Sequence, residues 1–188
     1  MREPYKGKIF KVRQFISLVD KAIGSKLSYG KELKLIDKQF QSHIMLAVTQ
    51  VNGCKFCSYV HTKQALESGS SQEDIAVLME GNLASAASDE RVALLFAQHY
   101  ADSSGAYDEA AFDRVIDFYG KEKALGILAT VKIIMMGNAH GGTMSFLGDR
   151  FRGMGNKESS FAGELAIFLG FIVILPVVLV KNLFVRSK

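Results

Sequence analysis

The sequence predicts an all-α protein, and three observations carry that prediction. Proline occurs twice and tryptophan not at all in 188 residues of which 48% are hydrophobic, and strand-rich folds need more turn punctuation than that. Apolar residues recur at the 3.6-residue period through most of the chain. No stretch alternates apolar and polar residues over a convincing strand length. A chain of this size can bury one real core.

The elements follow in order. Ile9, Val12, Phe15, Ile16, Val19 and Ile23 share one helical face, and Gly24 is expected to close that helix. A Ser- and Gly-rich loop runs to Gly30, and a second helix covers Leu33 to Val51 with Phe40, Ile44, Ala47, Val48 and Val51 as its stripe. Asn52-Gly53 is a strong stop, because both residues tolerate the left-handed conformation. A third helix begins at about Cys54, with that cysteine in its first turn, and ends before Gly69. Ser70 to Glu73 reads as a capping box for a short helix to Glu80. Ser88 is expected to cap the next helix, with Val92, Leu95, Phe96 and Tyr100 inward. Asp108 opens another, closed by Gly120, and Lys121 to about Phe146 reads as a long, largely buried helix.

Three regions result: a helical domain over 1–147, a polar glycine-rich linker over 148–160, and a hydrophobic helix with a basic tail over 161–188. Leu165 to Val180 holds sixteen residues without a charge. At about 1.5 Å per residue this gives about 24 Å of helix, short of a ~30 Å hydrocarbon core. Extension over 161–185 with Glu164 and Lys181 snorkelling would span it. Two readings stay open: a membrane anchor, or a helix buried in an oligomer interface. Arg150, Arg152 and Lys157 flank one end and Lys181, Arg186 and Lys188 the other, so charge does not set an orientation.

The net charge of +4 is mild and spread along the chain, so no basic stripe points to nucleic acid. The residues Met1-Arg2-Glu3-Pro4-Tyr5-Lys6 carry no apolar run after their charges, so the reading is a cytoplasmic domain rather than an exported one. Both cysteines of the chain lie in Cys54-Lys55-Phe56-Cys57. Such a pair in a reducing compartment points to redox chemistry or metal rather than to a disulfide framework.

The spacing supports redox chemistry. On a helix opening near Cys54, Cys57 at i+3 and His61 at i+7 lie along one face. Unpaired N–H groups and the dipole at the helix start favour a thiolate, and His61, one turn beyond Cys57, can take its proton. Attack on a peroxide gives a sulfenic acid that a second thiol condenses into a disulfide, and the same pair can exchange with a disulfide substrate. Zinc held by Cys54, Cys57 and His61 with a fourth ligand is the metal alternative. A c-type haem motif is excluded, since Ser58 follows the second cysteine.

Val48-Thr49-Gln50-Val51-Asn52-Gly53-Cys54-Lys55-Phe56-Cys57-Ser58-Tyr59-Val60-His61 resembles the signature of the alkylhydroperoxidase D-like and carboxymuconolactone decarboxylase family. Ala65-Leu66-Glu67-Ser68-Gly69 and the late segment Lys132 to Ala139 are also similar, so the resemblance covers roughly 30–147. It implies an all-helical fold, trimers or multiples of them, and no metal or organic cofactor in the active site. It implies that Cys57 is peroxidatic, that Cys54 is the more exposed resolving cysteine, and that His61 belongs to a proton relay. A peroxide or disulfide would be the substrate, and a lipoyl or thioredoxin-like dithiol the reductant. The expected function is a thiol-dependent, peroxiredoxin-type peroxidase. The alternatives are a disulfide oxidoreductase with little peroxidase activity, and a membrane-tethered module that binds metal or senses oxidation.

One departure matters. The family's peroxidases carry a glutamate twelve residues before the first cysteine, where this chain has Ser42. A serine hydroxyl is no base near neutral pH. Glu80, or a carboxylate of another subunit, is a candidate replacement, while His43 should point elsewhere. His140 with Gly141-Gly142 reads as helix packing more than as a ligand site, His99 as a core-edge histidine, and Met135, Met136 and Met144 as core filler. Gly148 and Arg152 receive no role.

Overall fold

The computed structural model describes residues 5–186, and the description below concerns those residues. Met1 to Pro4 and Lys188, which entered the reading of the two termini, lie outside them. Eight α-helices and two short 3₁₀ turns are present, and no strand among the described residues. The chain is all-α as its periodicity predicts.

Helix α1 (Val12–Ser28) runs straight through Gly24. The glycine serves contact rather than termination, since a Cβ there would meet Asn182 Oδ1 of the last helix at 2.9 Å. The expected second helix is divided. Glu32–Leu35 forms a 3₁₀ turn, and Asp37 caps α2 (Lys38–Asn52) by accepting the Phe40 N–H at 2.9 Å. Gly53 ends α2 in the left-handed region, φ 67°, as Asn52-Gly53 predicts. Helix α3 is Lys55–Glu67 and α4 is Gln72–Glu80. The capping box of α4 sits one residue later than expected, on Ser71 and Asp74. Helix α5 is Arg91–Asp102, and Ser88 does not cap it. That turn is held instead by tertiary bonds, from Tyr119 Oη to the Asp89 carbonyl and from His43 Nδ1 to the Glu90 carboxylate.

Asp108 caps α6 (Glu109–Tyr119) and Gly120 closes it. Helix α7 (Lys121–Phe151) is longer than expected and takes in the first residues of the stretch read as linker, 148–151. It is the central element, packing on α1, α2, α3, α5, α6 and α8. Helix α2 packs on α3, α4, α5 and α7, so α2 and α7 together form the wall behind α3. The core is one cluster built from both of them with α1 and α5, including Phe15, Ile44, Leu46, Leu94, Tyr100, Ile127 and Met135.

Helix α8 (Phe161–Arg186) lies along α1 and α7. Both of its ends are fastened. Glu164, buried, receives Arg150 through two hydrogen bonds of 2.8 and 2.9 Å and the Ser159 hydroxyl. Near the other end, Lys181 and Asn182 both bond Asp20 of α1, at 2.7 and 2.9 Å. Between the pins His140 packs against Phe15, Phe168 and Phe171, which bears out packing for that segment of α7. The opposite face of α8, with Ile172, Val173, Val177 and Val180, is exposed and entirely apolar.

Candidate redox site

Cys54 and Cys57 form a disulfide at the start of α3. Cys54 is the N-cap residue itself, and its sulfur accepts the Cys57 N–H at 3.3 Å. The expectation placed it one position further in. The consequence for its acidity is the same, because a sulfur at the cap faces the unpaired donors of the first turn. The Ser58 hydroxyl bonds the Cys54 carbonyl at 3.1 Å and steadies that turn.

Three neighbours fix the pair. Gly53 turns the chain from α2 into α3. A strap formed by residues 5–11 then crosses the junction, with the Lys8 N–H donating to the Asn52 carbonyl at 2.9 Å. The third is Gly141 of α7. A Cβ built on it would stand 3.0 Å from Cys57 Sγ and 3.2 Å from Cys54 Sγ, well inside ordinary van der Waals contact. Both cysteines are buried in the single chain, Cys54 at 0% exposure and Cys57 at 6%. The expected order, with Cys54 the more accessible, is therefore reversed here, because the strap and α7 cover the helix start.

His61 is one turn from Cys57 on α3 and lines a cleft of about 430 Å³ with Ser42, Gln64 and Glu67. The residue at the position of the family's glutamate thus shares a cleft with His61. Its hydroxyl, however, donates to the Lys38 carbonyl at 2.9 Å. The carboxylate on this cleft is Glu67, exposed and 3.8 Å from Lys63, rather than Glu80. His61 Nδ1 lies 2.8 Å from Gln64 Oε1. An amide oxygen only accepts, so Nδ1 carries the hydrogen and Nε2 is left as the base. Burial holds the His61 pKa below its ordinary value of 6.5, with the Gln64 bond opposing in part. The imidazole is neutral at pH 7 and ready to accept a proton. Thiol reactivity should therefore fall only as pH drops through that lowered pKa. Gln64→Met, which removes the opposing bond, should move the acid limb to lower pH. A pH profile of thiol alkylation checks this, and a limb moving upward would contradict the assignment.

His43 points away from the sulfurs, as expected. Nδ1 is 2.6 Å from Glu90 Oε2 and Nε2 is 2.8 Å from Ser70 Oγ, all in a buried setting that ties α2 to the α3–α4 turn and the start of α5. His99 is half-exposed, 3.9 Å from Asp108, in a cleft of about 540 Å³ between α5 and α6. That cleft is larger than those around α3 but holds no residue of the sulfur chemistry. Met135 is fully buried and accepts from Asn52 at 3.2 Å, whereas Met144 is exposed and is not core filler. Among the described residues no three His, Cys, Asp or Glu side chains converge on a common point.

Sequence reasoning missed Tyr5, Lys55, Phe56, Met144 and Asp149. Together with Gly141, Ser145, Gly148 and Arg152 they line a cleft of about 360 Å³ beside the disulfide. Lys55 and Phe56 are exposed, and their place between the two cysteines was the available signal. Tyr5 and Asp149 lie 144 residues apart and meet only in the fold, where the Tyr5 N–H bonds Asp149 Oδ2 at 2.7 Å.

Residues 30–99 match the family model described as the carboxymuconolactone decarboxylase family. No curated protein and no solved structure matches the chain. The matched stretch is shorter than the expected 30–147 and leaves α6 to α8 outside it. The matched stretch holds Ser42, Cys54, Cys57 and His61, and over it the chain is similar to the carboxymuconolactone decarboxylase family, the family that includes the alkylhydroperoxidase D-like proteins.

Proposed function

We propose that the protein is a two-cysteine thiol peroxidase, and the observation that carries the reading is the Cys54–Cys57 pair at the N-terminus of α3 with a neutral His61 one turn on. His61 Nε2 takes the Cys57 proton. The thiolate attacks the terminal oxygen of a hydroperoxide, the O–O bond breaks, and the leaving alkoxide takes that proton to become an alcohol. Cys57 is now a sulfenic acid. The Cys54 thiolate attacks its sulfur, hydroxide leaves as water with the proton of the second thiol, and the disulfide forms. A dithiol, such as a lipoyl or thioredoxin-like protein, returns two electrons and two protons by exchange. In Cys54→Ser protein the sulfenic acid has no resolving partner, so peroxide followed by dimedone should give a stable adduct on Cys57. No adduct under conditions that consume the Cys57 thiol would sink the reading.

One observation favours a second reading, disulfide exchange with slow peroxide turnover. Ser42 supplies no carboxylate and its hydroxyl is committed to the Lys38 carbonyl. General acid–base assistance is worth about 10²–10⁴-fold, and exchange depends on it less than peroxide cleavage does.

Helix α8 bears on where the reaction occurs. With both ends pinned to α1 and α7, it lies on the domain, and we propose that its exposed apolar face seats the protein on a lipid surface. The uncharged run from Leu165 to Val180 supports this, since contacts between chains carry a polar rim. Truncation after Ser160 should abolish co-flotation with liposomes. Loss of an oligomer with flotation unchanged would make the face a contact between copies instead.

A further inference from the structure

We infer that the cleft beside the disulfide, bounded by Lys55, Arg152 and Tyr5, is a subsite for the carboxylate of a small thiol or disulfide that exchanges with Cys54–Cys57. The inference rests on the redox reading above and adds the chemistry of the substrate to it.

Two cations and a single, already engaged acid meet there. Lys55 is the first residue of α3, so its ammonium adds to the positive end of that helix, and it has no ion-pair partner among the described residues. Arg152 stands at the end of α7, on the other side of the cleft, exposed by 59% of its side chain. The acid present, Asp149, is already engaged, by the Tyr5 N–H at 2.7 Å and by Arg152 Nη1 at 3.5 Å. The cleft therefore keeps a net positive charge. Tyr5 is 4% exposed, and its hydroxyl is buried with no hydrogen-bond partner. The hydroxyl lies against Gly142 of α7 and Gly7 of the strap, so Tyr5 closes the floor of the cleft rather than offering it a donor.

The remaining surface suits a short carbon chain. Phe56 and Met144 offer exposed apolar area, and Gly148 leaves the wall open, since an added Cβ there meets nothing nearer than Arg152 Nη1 at 4.0 Å. Gly141 lines the cleft and also stands against both buried sulfurs, so the cleft adjoins the disulfide through this one residue. The step is exchange. One ligand thiolate attacks a sulfur of the Cys54–Cys57 bond and the other protein sulfur leaves as a thiolate. The second ligand thiol then closes its own disulfide and releases the first protein sulfur, so the ligand is oxidised by two electrons and the protein reduced by two.

The test uses two dithiols that share their reactive end, dihydrolipoate with a carboxylate and dihydrolipoamide without one, on the oxidised full-length protein at low salt. Dihydrolipoate should reduce the disulfide about fivefold faster, a preference that two partly exposed cations can supply. Lys55→Met and Arg152→Met should each lower the ratio, and the double variant should bring it to about one with dihydrolipoamide unaffected. Equal rates in the unmodified protein, or a ratio unmoved by both cation substitutions, would overturn the subsite while leaving the redox reading intact. A disulfide that neither these reagents nor dithiothreitol reduces would overturn both. If the double variant fails to fold, the single variants decide.

Discussion

Cys57→Ser should abolish peroxide turnover, lowering it at least about 10³-fold, while the fold survives. The nucleophile is lost outright, because an alcohol one turn from a neutral imidazole is far less acidic than a thiol at a helix start. The structural cost is small. Serine is close in volume, and the disulfide closes only a short loop, cysteines three positions apart. The chain-entropy estimate for such a loop is about 2 kcal/mol, which for a domain of this size is about 4–8 °C in Tm. The variant should therefore melt close to the reduced wild-type protein. Activity assays and melting curves on both proteins separate the effects. Retained turnover would remove Cys57 from the chemistry, and a collapse far below the reduced wild type would show that the substitution reports on folding instead.

The second large effect belongs to Gly141. In a helix interior Gly→Ala ordinarily stabilises by about 0.5–1 kcal/mol. Gly137, one turn earlier on α7, is such a case, with nothing nearer than Ile134 Cδ1 at 4.0 Å from an added Cβ, and Gly137→Ala should gain that amount. At Gly141 the same methyl meets two sulfurs at 3.0 and 3.2 Å. Overpacking of this kind costs about 1–3 kcal/mol, which exceeds the propensity gain. The cost falls mainly on the oxidised protein, because bonded sulfurs cannot move apart while free thiols can turn about χ1. Gly141→Ala should thus destabilise the oxidised form by about 1–2 kcal/mol and shift the dithiol–disulfide equilibrium toward the dithiol by about tenfold, close to 30 mV. Chemical denaturation of both redox forms, with Gly137→Ala alongside, checks this. Equal effects on the two forms would show that the methyl is absorbed elsewhere.

Cys57 was legible in the sequence and the role of Gly141 was not. Cys54, Cys57 and His61 lie within eight positions on one helix, so local periodicity places them, and Gly53, Asp108 and Gly120 announce their helix ends with turn and cap chemistry. The failures share a cause. Gly24 reads as a stop because nothing local reveals that Asn182 packs against it. Ser70 reads as a cap because its hydroxyl's true partner, His43, is 27 residues away. Gly141 is 84 positions beyond Cys57, and its contact with both sulfurs exists only once α7 crosses the start of α3. The exposure of Cys54 was misjudged because the strap at residues 5–11 carries no periodicity that would tie it to α3.

Ser42 shares the His61 cleft without supplying a carboxylate, which is what sets the proposed peroxidase and disulfide-exchange readings apart. The most direct measurement is stopped-flow mixing of the reduced protein with hydrogen peroxide and with an alkyl hydroperoxide, following loss of free thiols in the wild type and in Cys57→Ser. The wild type should lose two thiols per peroxide consumed, and Cys57→Ser should lose none on the same timescale. Thiols unchanged by either peroxide in the wild type, with rapid exchange against oxidised lipoamide, would contradict the peroxidase assignment and leave disulfide exchange as the reaction of this site.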